Sequence, residues 1–142
     1  MSLSLWMLLA FAGWTLVVLL AGVGTRRWLL IFQGEAALTS FPGDVPHGSP
    51  AYRRAMRAHA NCIENLPVFG AIVLVATVSG LRSPGLDAFA VATVAARIAQ
   101  TLVHVLLPER NATVAVRFGF FLCQLIAMIA MGVIILTANL HR

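Results

Sequence analysis

Four long apolar runs decide what this chain can fold into. They extend from Leu3 to about Phe32, from Tyr52 to Gly80, from Leu86 to Leu107 and from Thr113 to about Leu140. Each meets the roughly 20 residues that a helix needs to cross the hydrocarbon core of a bilayer. With 60% hydrophobic residues, 11% charged residues and a mean hydropathy of +0.90, the chain is too apolar for a soluble domain and reads as an integral membrane protein. The connections Leu81 to Gly85 and Pro108 to Asn111 are short, which makes successive helices antiparallel neighbours. The expected fold is therefore all-α, an up-down four-helix bundle forming a single domain over residues 1–142. The longer connection from Gln33 to Pro50 contains Pro42, Gly43, Pro46, Gly48 and Pro50, reads as a loop, and is long enough to cover a cavity mouth. Asn111 is the expected N-cap of the last helix. No basic residue precedes the first run, which is far longer than a signal-peptide core, so it is expected to remain in the mature protein.

The formal net charge of +5 comes from arginine, as the chain has no lysine. Arg26, Arg27, Arg53, Arg54 and Arg110 flank the first and third connections, against Arg82 and Arg142 on the other side. The positive-inside rule then puts those two connections in the cytoplasm and both termini on the opposite side. The arginines sit at helix ends rather than in a solvated patch with aromatic residues between them, which argues against nucleic-acid binding. Trp6, Trp14 and Trp28 read as interface anchors and packing residues. Cys62 and Cys123 fall inside spans, where a thiol behaves as a small hydrophobe, and packing is the expected role of both. His47, His59, His104 and His141 are scattered without ligand spacing, so no metal site is expected.

The chemistry lies in polar residues inside these spans. Arg57, Asn61 and Glu64 are four and three residues apart; at helical spacing Asn61 is about 40° and Glu64 about 20° from Arg57, so the three share one stripe. A charge at membrane depth costs at least about 2.5 kcal/mol, and such residues face a protein interior or a wet cavity. The third span repeats the pattern with Arg97, Gln100, Thr101 and His104, and the fourth adds Arg117 and Gln124. Pairing of Arg57 or Arg97 with Glu64, with the amides joining helices, is the purely structural reading. Glu64, read as the sole acid within the spans, cannot neutralise Arg57, Arg97 and Arg117 together, so an anionic ligand is expected. Guanidinium groups suit carboxylates and Glu64 suits an ammonium, which describes a zwitterion with excess negative charge. Pro67 leaves the Ile63 carbonyl without its helical donor, beside Glu64, and a kink is expected there.

The segment Arg57-Ala58-His59-Ala60-Asn61-Cys62-Ile63-Glu64-Asn65-Leu66-Pro67-Val68-Phe69 resembles the signature of the MAPEG family, the membrane-associated proteins in eicosanoid and glutathione metabolism. That family includes microsomal glutathione transferases, leukotriene C4 synthase and the non-enzymatic five-lipoxygenase-activating protein. The likeness extends over the whole chain as four helices with basic ends, and the second-helix motif is its specific part. It implies a homotrimer with glutathione, as cosubstrate, held between neighbouring subunits. Arg57, Asn61 and Glu64 match the family positions that bind the tripeptide, Arg26 matches a first-helix arginine that helps hold a glutathione carboxylate, and Arg97 matches the arginine opening the third-helix stripe. His59 points away from the Arg57 stripe, and subunit packing is its expected role.

Two departures from the family pattern bear on mechanism. Many enzymatic relatives carry a tyrosine seven residues after the third-helix arginine, where this chain has His104, a ligand donor or a neutral packing residue; its one tyrosine is Tyr52. Arg117 and Arg110 compete for the place of the fourth-helix arginine that stabilises the glutathione thiolate. Arg117 is preferred, because it begins the apolar run and shares a face with Gln124. The resemblance then implies a membrane glutathione transferase in which Arg117 is catalytic and Arg26, Arg57, Asn61, Glu64, Arg97 and His104 bind glutathione. It would conjugate lipophilic electrophiles entering from the bilayer, or reduce lipid hydroperoxides. The alternative is a non-catalytic lipid-binding protein of the same fold, and a small channel is disfavoured by the single acid. Compactness and the lack of a retention signal point to a bacterial inner membrane.

Overall fold

Serines start three of the four helices. In the computed structural model, which describes residues 1–41 and 47–140, α1 spans Leu3–Phe32, α2 Pro50–Val78, α3 Pro84–Leu106 and α4 Asn111–Leu140. Pro42, Gly43 and Pro46 of the first connection, and His141 and Arg142, lie outside the described residues. Ser2 accepts from the Leu5 N–H, Ser49 from Tyr52 and Ser83 from Gly85, each meeting a first-turn donor that the helix leaves unpaired. Pro50 and Pro84 occupy first-turn positions, where a missing N–H costs nothing. These Ser-Pro pairs start α2 and α3 two residues before the apolar runs do. Asn111 is the first residue of α4 rather than its cap, and the Val114 N–H bonds the Arg110 carbonyl. At the end of α2 the Leu81 N–H reaches the Ala76 carbonyl and the Gly80 N–H that of Thr77, with Gly80 at φ 66°. This closure needs a left-handed residue, hence glycine.

All four helices are long and apolar enough to cross a membrane, and no strand occurs among the described residues. Side-chain contacts fix an up-down order. The start of α1 meets the start of α3 at Ser4 and Asp87, the end of α1 meets the start of α2 at Arg27 and Tyr52, and Gly85 at the start of α3 lies against Ile134 near the end of α4. α1, α2 and α3 pack on one another, while α4 packs chiefly on α3 and less on α2. The core runs through Phe11, Cys62, Phe69, Val73, Leu86, Ala90 and Met131, with the Phe11 and Phe69 rings 5.6 Å apart. Leu9, Leu20, Val75, Ile126, Ile129 and Leu136 point outward, an apolar surface suited to acyl chains or neighbouring helices.

Within the helices, local features refine the sequence expectations, and those for Cys123 and for Glu64 as the sole acid change. Within α1, residues Val18–Gly24 are π-helical, and here Val23 packs with Tyr52 and Ala55 of α2 while Gly22 lets Ala55 come close. α2 is one helix through Pro67, so the proline does not end it. Cys62 is packed in the core, but Cys123 is exposed on the outer face of α4, because that face has no helix of this chain against it. Glu64 is not the sole acid inside a span: Asp87 lies in the first turn of α3. Its carboxylate accepts from the Ser4 N–H at 2.9 Å and from the Ser4 hydroxyl, so it satisfies a free donor of the α1 terminus while facing the positive end of its own helix. Asp87→Ala is expected to destabilise the bundle by about 1.5–3 kcal/mol, the value of a hydrogen bond to a charged group. Thermal melting in detergent measures this, and an unchanged midpoint would show that the staple is idle.

Candidate functional site

The α2 stripe turns away from the core of the bundle. Ala58, Cys62 and Phe69 occupy the inward face of α2, so Arg57 and Glu64, on another face, are exposed and Asn61 is half-buried. Glu64 therefore makes no salt bridge to Arg57 or Arg97: among the described residues, the ion pairs are Arg57 and Arg117 with Glu109. The Asn61 backbone carbonyl accepts from the Asn65 side-chain amide at 2.8 Å. His59 is half-buried beside Thr15 of α1, so it packs within the bundle.

Three of the candidate residues meet at the bundle end that carries the third connection. Arg57 Nη1 donates to Glu109 Oε1 at 2.8 Å, and Arg117 Nη1 lies 3.9 Å from the same oxygen. The Arg57 and Glu109 side chains are 56% and 47% exposed, whereas that of Arg117 is only 13% exposed. Buried His104 faces this group, within electrostatic reach of Arg117, Arg57, Glu109 and Arg54. Neither His104 Nε2 nor Arg117 Nη1 has a hydrogen-bond partner among the described residues, although both are shielded from solvent. Buried polar groups are ordinarily satisfied, so these two are free to serve a ligand. Arg110 is exposed in the connection itself.

Arg97 is placed elsewhere. It is 1% exposed in the middle of the bundle, its Nη1 donating to Gln100 Oε1 at 2.8 Å and its guanidinium 5.7 Å from the Phe11 ring. Gln124 Nε2 donates to the same Gln100 oxygen at 3.0 Å, and Gln100 Nε2 donates to the Arg117 carbonyl at 3.1 Å. Gln100 thus ties the Arg97 charge to the backbone of the residue that faces Glu109. Thr101 adds two contacts, accepting from Trp14 Nε1 at 3.3 Å and lying 3.9 Å from Cys62 Sγ. Arg97 Nε and Nη2 have no hydrogen-bond partner.

Arg26 belongs to a third place. It donates to Ser49 and lines an apolar pocket of about 370 Å³ with Leu29, Leu30, Phe41 and Tyr52. Within one chain it does not join Arg57. Glu109 is the member of the site that the sequence pattern passes over: an acid in a connecting loop is ordinarily solvated, and no helical spacing links it to Arg57. Its one signal is its position between the third-helix histidine and the fourth-helix arginine. Among the described residues no three His, Cys, Asp or Glu side chains form a metal-binding group.

The site can hold an anion between Arg57 and Arg117, with a polar stripe beside it facing out of the bundle. No curated protein and no solved structure matches the chain. A sequence model of the MAPEG family, however, matches residues 3–137, nearly the whole chain. With four membrane-spanning helices carrying the second-helix Arg57, Asn61 and Glu64 stripe, this protein belongs to the MAPEG family, a membrane family of glutathione and eicosanoid metabolism.

Proposed function

We propose that this protein is a membrane glutathione transferase. It works as a homotrimer whose active sites lie between subunits, with the first and third connections facing the cytoplasm. The observation that carries the reading is the convergence of Arg57 and Arg117 on one carboxylate oxygen, with His104 in electrostatic reach of all three. Two guanidinium groups against one acid leave an excess positive charge, and glutathione, with two carboxylates, one ammonium and an ionisable thiol, matches it.

Each residue has a part set by its placement. Exposed Arg57 pairs with a carboxylate, the half-buried Asn61 amide bonds the peptide, and exposed Glu64 accepts from the ammonium. Arg26 reaches the ligand from the neighbouring subunit, since within its own chain it stands with Ser49 and Tyr52. Bound glutathione supplies a thiolate that displaces the leaving group of an electrophilic carbon or, with a second equivalent, reduces a hydroperoxide to an alcohol and water. Arg117 is shielded enough for its charge to act at short range and holds the anionic sulfur with its unused Nη1. His104 Nε2 is available to a ligand polar group, in the place where relatives carry a tyrosine. Arg97 acts from inside the bundle, through Gln100, on the position of Arg117.

An outward apolar groove between α1 and α3, lined by Trp14, Val17, Val18, Ala21, Leu102 and Leu106, favours the second reading, a lipid-binding protein without catalysis. Conjugation of chlorodinitrobenzene and reduction of cumene hydroperoxide, assayed with glutathione in proteoliposomes, separate the two. Turnover above the uncatalysed rate is expected for at least one. Glutathione binding without turnover of either would instead favour the lipid-binding role.

A further inference from the structure

We propose that Glu109 is a built-in competitor for the anionic ligand groups that Arg57 and Arg117 receive, which makes it a residue that sets the affinity and the charge requirement of the site. The identity of the ligand rests on the glutathione reading; the contact itself does not.

The geometry is that of a stand-in. One oxygen of Glu109 serves guanidinium groups from two helices, α2 and α4, that pack only lightly on each other. At 2.8 Å the Arg57 contact is a full hydrogen bond, but at 3.9 Å that to Arg117 is an ion pair only, and Arg117 Nη1 makes no hydrogen bond among the described residues. The carboxylate fills the seat without saturating it. Within one chain Arg57 and Glu109 are both about half exposed, so the ligand-free pair is open to water and to an incoming anion, as a displaceable contact must be. The backbone need not move: α3 is closed by the Leu107 N–H on the Val103 carbonyl, and α4 opens with the Val114 N–H on that of Arg110. Rotation of one exposed side chain opens the seat on the picosecond to nanosecond scale.

A ligand must then bring its own anion to displace Glu109, whereas a neutral molecule of the same shape gains nothing at Arg57. Specificity arises partly from this competition. An exposed ion pair keeps such a seat filled for part of the time, and apparent affinity falls by the fraction that is open, about two- to sixfold.

Glutathione titrated into wild-type and Glu109→Gln protein at equal ionic strength tests this. The rates of phenylglyoxal modification of Arg57 and Arg117 are read by mass spectrometry in the same ligand-free proteins. Glu109→Ser repeats the comparison if the glutamine variant melts early. Removing the charge is expected to tighten glutathione binding about two- to sixfold and to speed modification of both arginines. Unchanged or weaker binding overturns the competitor role while leaving the glutathione reading intact. If no protein binds glutathione, that reading falls and the modification rates decide alone: equal rates overturn the competitor, and faster rates that inorganic sulfate suppresses support it as a guard over a different anion.

Discussion

Arg117→Ala will remove the thiolate absorbance that appears when glutathione is added to the wild-type protein, and will lower kcat by about a hundredfold, the order seen when one preorganised donor to a developing or bound anion is lost. Glutathione affinity will change much less, because Arg57, Asn61 and Glu64 remain. The reasoning is electrostatic. Arg117 is 13% exposed, so its charge is poorly screened, and its Nη1 has no hydrogen-bond partner. Without it the thiol loses the cation that favours ionisation, its pKa rises, and the residual rate should recover as pH is raised. Arg110→Ala is the matched control, since Arg110 is exposed in the connection and should leave both readouts near wild type. A folded Arg117→Ala protein that keeps the thiolate signal would show that another group holds the sulfur.

Gln100→Leu will destabilise the bundle by about 3 kcal/mol, mainly through the loss of one hydrogen bond to a buried charge. Gln100 accepts from Arg97 and Gln124 and donates to the Arg117 carbonyl, so leucine breaks three contacts at once. Uncharged bonds between membrane helices contribute only about 0.6 kcal/mol each. The larger part must come from Arg97, whose Nε and Nη2 already lack partners and which would be left with none of its hydrogen bonds. Thermal melting in detergent reads the loss. Gln124→Leu, which removes neutral bonds to the same oxygen and to the Phe120 carbonyl, should cost clearly less, and equal costs for the two would mean that Arg97 is not what Gln100 stabilises.

The fold was legible because lipid leaves a chain few options: four apolar runs of span length between short connections become four antiparallel helices. Their starts were less so. Hydropathy places α2 and α3 two residues late, at Tyr52 and Leu86, because it ignores capping; Ser49-Pro50 and Ser83-Pro84 mark the true starts. The π-helical stretch of α1 has no signature in the sequence beyond Gly22 and Gly24. For the site, helical spacing alone put Arg57, Asn61 and Glu64 on one stripe and Arg97, Gln100 and His104 on another. Spacing gives angles within one helix and says nothing of which faces meet. It therefore could not reveal that the α2 stripe turns outward, that Arg97 is buried apart from Arg57, or that Arg26 stands with Ser49. Glu109 and Asp87 escaped for a related reason. Each is an acid at a helix end, an ordinary solvated position by sequence, and each gains its partner from a helix distant in the chain.

The central claim is that this bundle binds glutathione through the second-helix stripe. Isothermal titration of glutathione into the purified, detergent-solubilised protein tests it most directly, with Arg57→Ala and Glu64→Ala as controls whose exposed positions make misfolding an improbable cause of lost binding. The account predicts saturable binding by the wild type that both substitutions remove. No binding at millimolar glutathione by the folded protein, or full binding by both variants, would contradict it.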